Sequence, residues 1–237
     1  MATILNLGCG TKTSPYVVNI DWSPYQRLHQ NIVGRRAAKL ALRGERKERF
    51  DAMQGSIVVH DLRKGIPAET SSVDVVYHSH VLEHIDRGAV PGFFAEILRV
   101  LKPGGIHRVV VPDLEHYVRE YLTDLEAGGG DHDEAIVPIL EQAVRKEARG
   151  TSLQGPMRRR LENIVFGDAR RRGETHQWMW DRLNLRQALE QAGFVHVEHL
   201  DAHASNIPSW NEIGLDLNSD GGVYKPGSLF MESANCA

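Results

Sequence analysis

Two groups of residues near the start of the chain have the types and spacing to do chemistry. Gly8-Cys9-Gly10 follows the apolar run Ile4-Leu5-Asn6-Leu7, and Asp21 ends a second apolar run, Val17-Val18-Asn19-Ile20. Glycines let a backbone approach a ligand closely, because they lack a Cβ and tolerate positive φ. An acid at the end of the neighbouring strand can accept hydrogen bonds from both hydroxyls of a ribose. Together these devices point to a nucleoside cofactor. The dinucleotide form of the motif reads G-x-G-x-x-G, with its acid about 20 residues further on. Here Gly10 is followed by Thr11, Lys12 and Thr13, and Asp21 comes much sooner, so a pyrophosphate grip is poorly supported.

The elements that must position these residues alternate along the chain. Ile57-Val58-Val59-His60-Asp61 reads as a third strand ending in an acid, and Val73 to Tyr77 as a fourth. Phe93, Ile97 and Leu101 recur at i, i+4 and i+8, with Phe94 and Leu98 beside them, which is a helix face pressed on a sheet. Lys102-Pro103-Gly104-Gly105 stops that helix, and Ile106 to Val111 forms a fifth strand ended by Pro112. From Asp113 to about Asp181 the pattern is mostly helical and charged, interrupted by Gly128-Gly129-Gly130 and by Gly150 to Pro156. Leu185 to Ala192 is helical with Gly193 as its cap, Phe194 to Leu200 is a strand, and Ser228 to Glu232 a final strand. Such alternation argues for a mostly parallel sheet covered on both faces. Thr11 to Tyr16 is too short for a crossover helix, so a loop is expected there, leaving that face thinly covered.

In this order the signals resemble those of class I S-adenosylmethionine-dependent methyltransferases. Leu5-Asn6-Leu7-Gly8-Cys9-Gly10 matches the family's glycine turn, Asp21 its ribose acid, and Asp61 the acid that contacts the adenine amine. Val75-Val76-Tyr77-His78-Ser79-His80-Val81-Leu82-Glu83-His84-Ile85 is similar to the segment after strand four, and Arg99-Val100-Leu101-Lys102-Pro103-Gly104-Gly105 to the hallmark helix-to-strand turn. The resemblance implies an α/β fold, a doubly wound Rossmann-like seven-stranded sheet with the last strand antiparallel and a helical insertion after strand five. It implies one domain over 1–237: a cofactor-binding half at 1–112, an acceptor-binding lid at 113–184, and 185–237 completing the sheet. It further implies S-adenosylmethionine as cofactor, contacted by Asn6, Gly8, Cys9, Gly10, Asp21, Asp61, Leu62, His78 and Ser79. The short link after Gly10, with Leu82-Glu83-His84, looks like a bacterial subgroup associated with polysaccharide or secondary-metabolite modification.

Methyl transfer from a sulfonium is an in-line displacement, and a hydroxyl acceptor needs a base. Neutral histidine suits that task. His80 follows strand four, where ligands of open α/β sheets collect, although it could equally pack under the next helix. His84 reads as structural or cofactor-adjacent. Asp113 can orient a histidine or can simply cap the helix carrying Tyr117 and Tyr121. His176 lies in Glu174-Thr175-His176-Gln177-Trp178-Met179-Trp180, whose tryptophans make either a wall for a ring or ordinary core. The catalytic candidates are therefore His80, His176 and Asp113, with His116, Tyr117, Trp178 and Trp180 toward the acceptor. No spacing specifies a metal among Asp113, Asp168 and Asp181, and no metal is expected.

The chain has 237 residues, a formal net charge of -3 and two cysteines, which exert no global pull on nucleic acid and form no disulfide framework. No apolar run reaches the roughly 20 residues of a membrane span, and a strand begins within the first residues, so neither a membrane partner nor a signal peptide is expected and the location is read as cytoplasmic. Basic residues cluster between Arg35 and Arg49 and in Arg158-Arg159-Arg160 and Arg170-Arg171-Arg172. They read as solvated faces or as attraction for an anionic acceptor. The expected activity is methylation of a small polar acceptor, a hydroxyl of a sugar or secondary metabolite. Nucleic acid is disfavoured as a partner, and a homodimer is left open. The rival readings are an RNA or protein methyltransferase and a cofactor-binding scaffold without turnover.

Overall fold

The computed structural model describes residues 2–22, 26, 29–41, 43–51, 56–128, 133–142 and 175–236. These form a seven-stranded sheet in the order β3-β2-β1-β4-β5-β7-β6. Its strands are β1 (Ile4–Leu7), β2 (Val18–Asp21), β3 (Ile57–Val59), β4 (Val73–Ser79), β5 (Leu101–Pro112), β6 (Val195–Leu200) and β7 (Ser228–Ala234). The first five are parallel, and β7 runs antiparallel to both β5 and β6. Helices among the described residues are α1 (Ile32–Ala41), α2 (Glu45–Asp51), α3 (Val90–Val100), α4 (Leu114–Ala127), α5 (Asp133–Gln142), α6 (Arg182–Ala192) and α7 (Trp210–Ile213). No helix among them is long and apolar enough to cross a membrane.

The expected α/β architecture is present, with differences at element ends. β5 begins at Leu101 rather than Ile106. The Lys102-Pro103-Gly104-Gly105 stretch is a bulge, since the register with β4 jumps from Val73↔Leu101 to Val75↔Ile106. The turn is held in the sheet because Gly104 N donates to the Asn235 carbonyl at 3.1 Å and Lys102 Nζ to Asp74 at 2.7 Å. β3 stops at Val59, so Asp61 caps a 3-10 turn at Leu62–Lys64. The triple-arginine clusters and the Gly150–Pro156 interruption lie outside the described residues.

Side chains alternate across the sheet, so each strand feeds two cores. One face packs Leu5, Leu7, Val76, Val109 and Met231 against α3 and α6, through Phe94, Ile97, Leu185 and Leu189. The other face packs Ile4, Val75, Tyr77, Val110 and Phe230 under the 201–223 segment, with Ile207, Trp210 and Leu215. Beside Ile4 that second face carries two buried amides, Asn6 on β1 and Asn19 on β2. Asn6 Nδ2 donates to Asn19 Oδ1 and to the Lys12 carbonyl, each at 3.0 Å, and Asn19 Nδ2 donates to the Ser14 carbonyl at 2.9 Å. The buried amide pair thus ties the 8–17 loop over the face that a crossover helix would cover.

One buried device sets a pH dependence. His78 and His107 project from β4 and β5 under α3 and α6, fully buried, with their Nε2 atoms 2.9 Å apart and Phe93, Phe94 and Phe194 around them. Burial lowers His78 from 6.5 to about 3, and burial together with His78 lowers His107 well below 6.5. The unfolded chain therefore binds protons below about 6.5 that the folded chain refuses. Stability is complete above that pH and falls as pH drops toward 3, by about 1.4 kcal/mol per pH unit for each histidine. Melting temperature measured from neutral to acid pH should fall more steeply for the native chain than for His78→Leu/His107→Leu. Equal slopes would remove the pair from the account.

Candidate active site

The parallel strands end on one edge of the sheet, and strand order reverses between β3 and β4, so β1 and β4 flank the switch point. Ligands of open α/β sheets bind in the crevice at that position. β1 delivers Gly8-Cys9-Gly10, β2 Asp21, the turn after β3 Asp61, and the turn after β4 His80 to His84. Gly8 has φ +64, and a Cβ there would lie 2.5 Å from Val81 Cγ2, so neither conformation nor space admits a side chain. Gly10 has φ +53, and a Cβ at that position would meet nothing within 4 Å. The Asp21 carboxylate closes the turn by accepting from Gly10 N at 2.7 Å.

Several expected cofactor residues have different work. The Asn6 side chain is buried and committed to the loop tether, so it shapes the turn instead of reaching a ligand. The His78 side chain points into the α3 core, and only its backbone lies toward the edge. The Cys9 thiol is buried, and burial, then the charge of Asp21, push it up to about 12, so it stays a neutral packing group. Leu62 packs against the core and Ser79 is the last residue of β4, half-buried. Asp61 accepts from Arg63 Nε and a terminal nitrogen, each at 2.8 Å, and that pairing draws its carboxyl below the usual range. The Arg63 guanidinium in turn lies 4.7 Å from the centre of the Trp22 ring. An aromatic face and a paired acid thus stand beyond Asp21, on the side of β2 and β3.

On the β4 side the fold brings two expected histidines to one place. His80 takes φ +53 at the strand's end, and its Nε2 is 2.9 Å from Ser228 Oγ. Its Nδ1 is 3.3 Å from Glu83 Oε1, and His84 Nε2 is 3.8 Å from the same oxygen. The His84 and His176 rings meet edge to face at 4.8 Å. Segment 176–178 is docked here because Gln177 N donates to the Glu83 carbonyl at 2.6 Å. Burial dominates the electrostatics. It lowers His80 to about 3 and His84 to about 4, and raises Glu83 to about 8, with the Lys225 charge opposing that rise. Glu83 is the residue that sequence reasoning passed over. Its signal was the His80-x-x-Glu83-His84 spacing, one turn's separation between a histidine and an acid–histidine pair.

The acceptor candidates divide. Trp178 is half-buried under the Arg87 guanidinium, 3.9 Å from its ring centre. Trp180 is only 2% exposed and packs in the core, where it lines a small cavity together with Trp178. Asp113 is the N-cap of α4, accepting from Glu115 N at 3.0 Å, and burial raises its carboxyl above the usual range. No hydrogen bond from its carboxylate to a histidine side chain is among those described. His116 pairs with Glu120 at 3.2 Å, and both His116 and Tyr117 lie against Gly227. A small cavity of about 10 Å3, room for one water-sized occupant, is lined by Glu83, Tyr117, Gln142, His176 and Trp178 among others.

These residues suit a nucleoside sulfonium. The turn carries no side chain at Gly8 or Gly10, the Asp21 carboxylate stands beside it at the end of β2, and Val81 joins the turn to the ionisable cluster. Residues 5–109, a little under half of the chain, match the family model described as a methyltransferase domain. No match was found among curated proteins. Among solved structures, the chain is similar to an S-adenosylmethionine-dependent methyltransferase from Archaeoglobus fulgidus, at 13% identity over 98% of this chain and 86% of that one, with TM-score 0.46. It is also similar to one from Mesorhizobium loti, at 17% identity over 98% and 90%, with TM-score 0.42. The family match places a methyltransferase domain over residues 5–109, the stretch that carries the glycine turn, the strand-end acid and strands β1 to β4, and such a domain implies S-adenosylmethionine as its cofactor.

Proposed function

We propose that the chain transfers the methyl group of S-adenosylmethionine to a hydroxyl of a small polar acceptor, a sugar or secondary metabolite, bound over the end of β4. The observation that carries this reading is adjacency. Val81, which packs on Gly8 of the cofactor turn, sits between His80 and the Glu83–His84 pair. Ionisable groups therefore stand within a few residues of the turn that would hold the cofactor.

S-adenosylmethionine, when bound, supplies an activated methyl carbon on sulfur. Transfer of that carbon to the acceptor oxygen would leave the S–CH3 electron pair on sulfur and would make the hydroxyl proton acidic enough for even a weakly basic neutral imidazole to take. His80 is assigned this role, with Ser228 Oγ at 2.9 Å holding its ring. Trp178 beneath Arg87 is assigned to the acceptor's wall, and the described helices α4 and α5 to its cover.

The test is methyl transfer from isotope-labelled S-adenosylmethionine to a panel of sugars, nucleotide-linked sugars and phenols, with products read by mass. His80→Gln is expected to lower kcat by roughly 10²–10⁴-fold while the Kd for S-adenosylmethionine, measured by calorimetry, stays the same. Product carrying the label on nitrogen or carbon would overturn the hydroxyl assignment, and unchanged kcat would remove His80 from catalysis.

A further inference from the structure

We propose that Glu83, His84 and His176 bind one first-row divalent metal ion, Zn2+ foremost, which clasps the 175–178 segment onto the turn after β4. This goes beyond methyl transfer and does not depend on the acceptor. The sequence offered no such site, because Glu83-His84 and His176 are far apart along the chain and no spacing joins them. The fold places one ligand atom from each within 4.8 Å of the others. A tetrahedral ion with ligand bonds of about 2.0–2.2 Å needs its donors roughly 3.4 Å apart, so small side-chain rotations close the set. Two imidazoles and one carboxylate are borderline donors, suited to Zn2+, Co2+, Ni2+ or Fe2+ and poorly to Mg2+ or Ca2+.

Three further observations point to a ligand here. Glu83 is 1% exposed, and among the described residues neither of its carboxylate oxygens has a hydrogen-bond partner. Such a group is costly to bury unless a cation or a proton satisfies it. His176 Nδ1 donates to the Gln142 carbonyl at 3.2 Å, which fixes the neutral tautomer with its lone pair on Nε2. Outer-shell hydrogen bonds of this kind orient metal-bound histidines. The cavity beside Glu83 and His176 has room for one water-sized occupant.

Two other groups face the cluster. His80 Nδ1, 3.3 Å from Glu83 Oε1, is the nearest additional nitrogen. Lys225, half-buried, acts on Glu83, His80 and His84 electrostatically. Its ammonium is the rival partner for the carboxylate, and the variants below separate the two.

The experiment uses the whole chain, stripped with chelator and exchanged into metal-free buffer near neutral pH. Co2+ is titrated in and followed by its visible d–d absorption, then displaced with Zn2+, with metal content measured independently. One ion per chain is expected, with the intense bands of a low-symmetry site, and a melting temperature that rises with Zn2+. His176→Gln and Glu83→Gln should each weaken Co2+ binding by more than about tenfold, whereas Lys225→Met should bind as tightly as the native chain or more so. Absence of the bands in folded native protein would overturn the site, as would equal affinity in His176→Gln. Calorimetric titration of S-adenosylmethionine in the same samples keeps failure of the metal site distinct from failure of the methyltransferase reading.

Discussion

Arg108→Ala is expected to cost more stability than any other single side-chain truncation in the described fold. The guanidinium is fully buried on β5, where Nε donates to Asp216 Oδ2 and a terminal nitrogen to Glu232 Oε1, each at 2.7 Å. It also donates to the Ala204 and Asp201 carbonyls at 3.0 and 3.3 Å. The two acids are in turn shared: Tyr77 Oη and Trp210 Nε1 donate to Asp216, and Ser205 Oγ and Asn206 N to Glu232. One cation therefore joins the central sheet to the 201–216 segment that covers its second face. Removing it strands two buried carboxylates, and breaking a buried pair from one side costs roughly 3–5 kcal/mol. Against a typical domain stability of about 5–15 kcal/mol, urea unfolding should show a chain near or below its folding threshold. The triple variant Arg108→Met/Asp216→Asn/Glu232→Gln removes the charges together and should recover much of the loss. A loss under about 1 kcal/mol in Arg108→Ala would mean that the acids find protons or water instead.

That network marks the boundary of what the sequence made legible. Local pattern was enough for the helix of Phe93, Phe94 and Ile97, for the Gly193 stop, and for the loop after Gly10, because each depends on periodicity or on a link length. Arg108, Asp216 and Glu232 are separated by up to 124 residues, and no periodicity announces that three charges will meet in the dark. The same limit explains Asn6. It stands inside a ligand-binding motif, but its partner Asn19 is set by strand pairing, and pairing turns its amide into a tether. It explains His78 as well, because strand parity fixes which face a side chain takes, and one residue separates the edge from the core. His80 and His176 were legible as candidates by type, while their convergence on Glu83 was not, since docking of 176–178 rests on a backbone bond to the Glu83 carbonyl. Residues that act through the chain's local geometry were readable, and residues that act through its topology were not.

The cofactor side gives the second large effect. Asp21→Ala is expected to weaken S-adenosylmethionine binding by about 100-fold or more, because the carboxylate has two duties at the strand end. It accepts from Gly10 N at 2.7 Å, holding the turn closed, and it is the group assigned to the ribose hydroxyls. Hydrogen bonds to a charged acceptor contribute roughly 1.5–3 kcal/mol each, or about 10–150-fold in Kd. Asp21→Asn separates the duties. Its amide oxygen can still accept from Gly10 N, so the turn keeps its form, while the charge and one acceptor are lost. Calorimetry should place the Asn variant between native and Ala, about tenfold weaker than native, with S-adenosylhomocysteine affected in parallel because the nucleoside is the same. Methyl transfer at saturating cofactor should stay near native in the Asn variant, since the contact assigned to the carboxylate is with the ribose and not with the reacting carbon. Equal affinities in native, Asn and Ala chains would place the ribose elsewhere along the edge, with Asp61 as the next acid to test. An Asn variant as weak as Ala would assign the whole effect to charge and leave the turn's closure to the backbone.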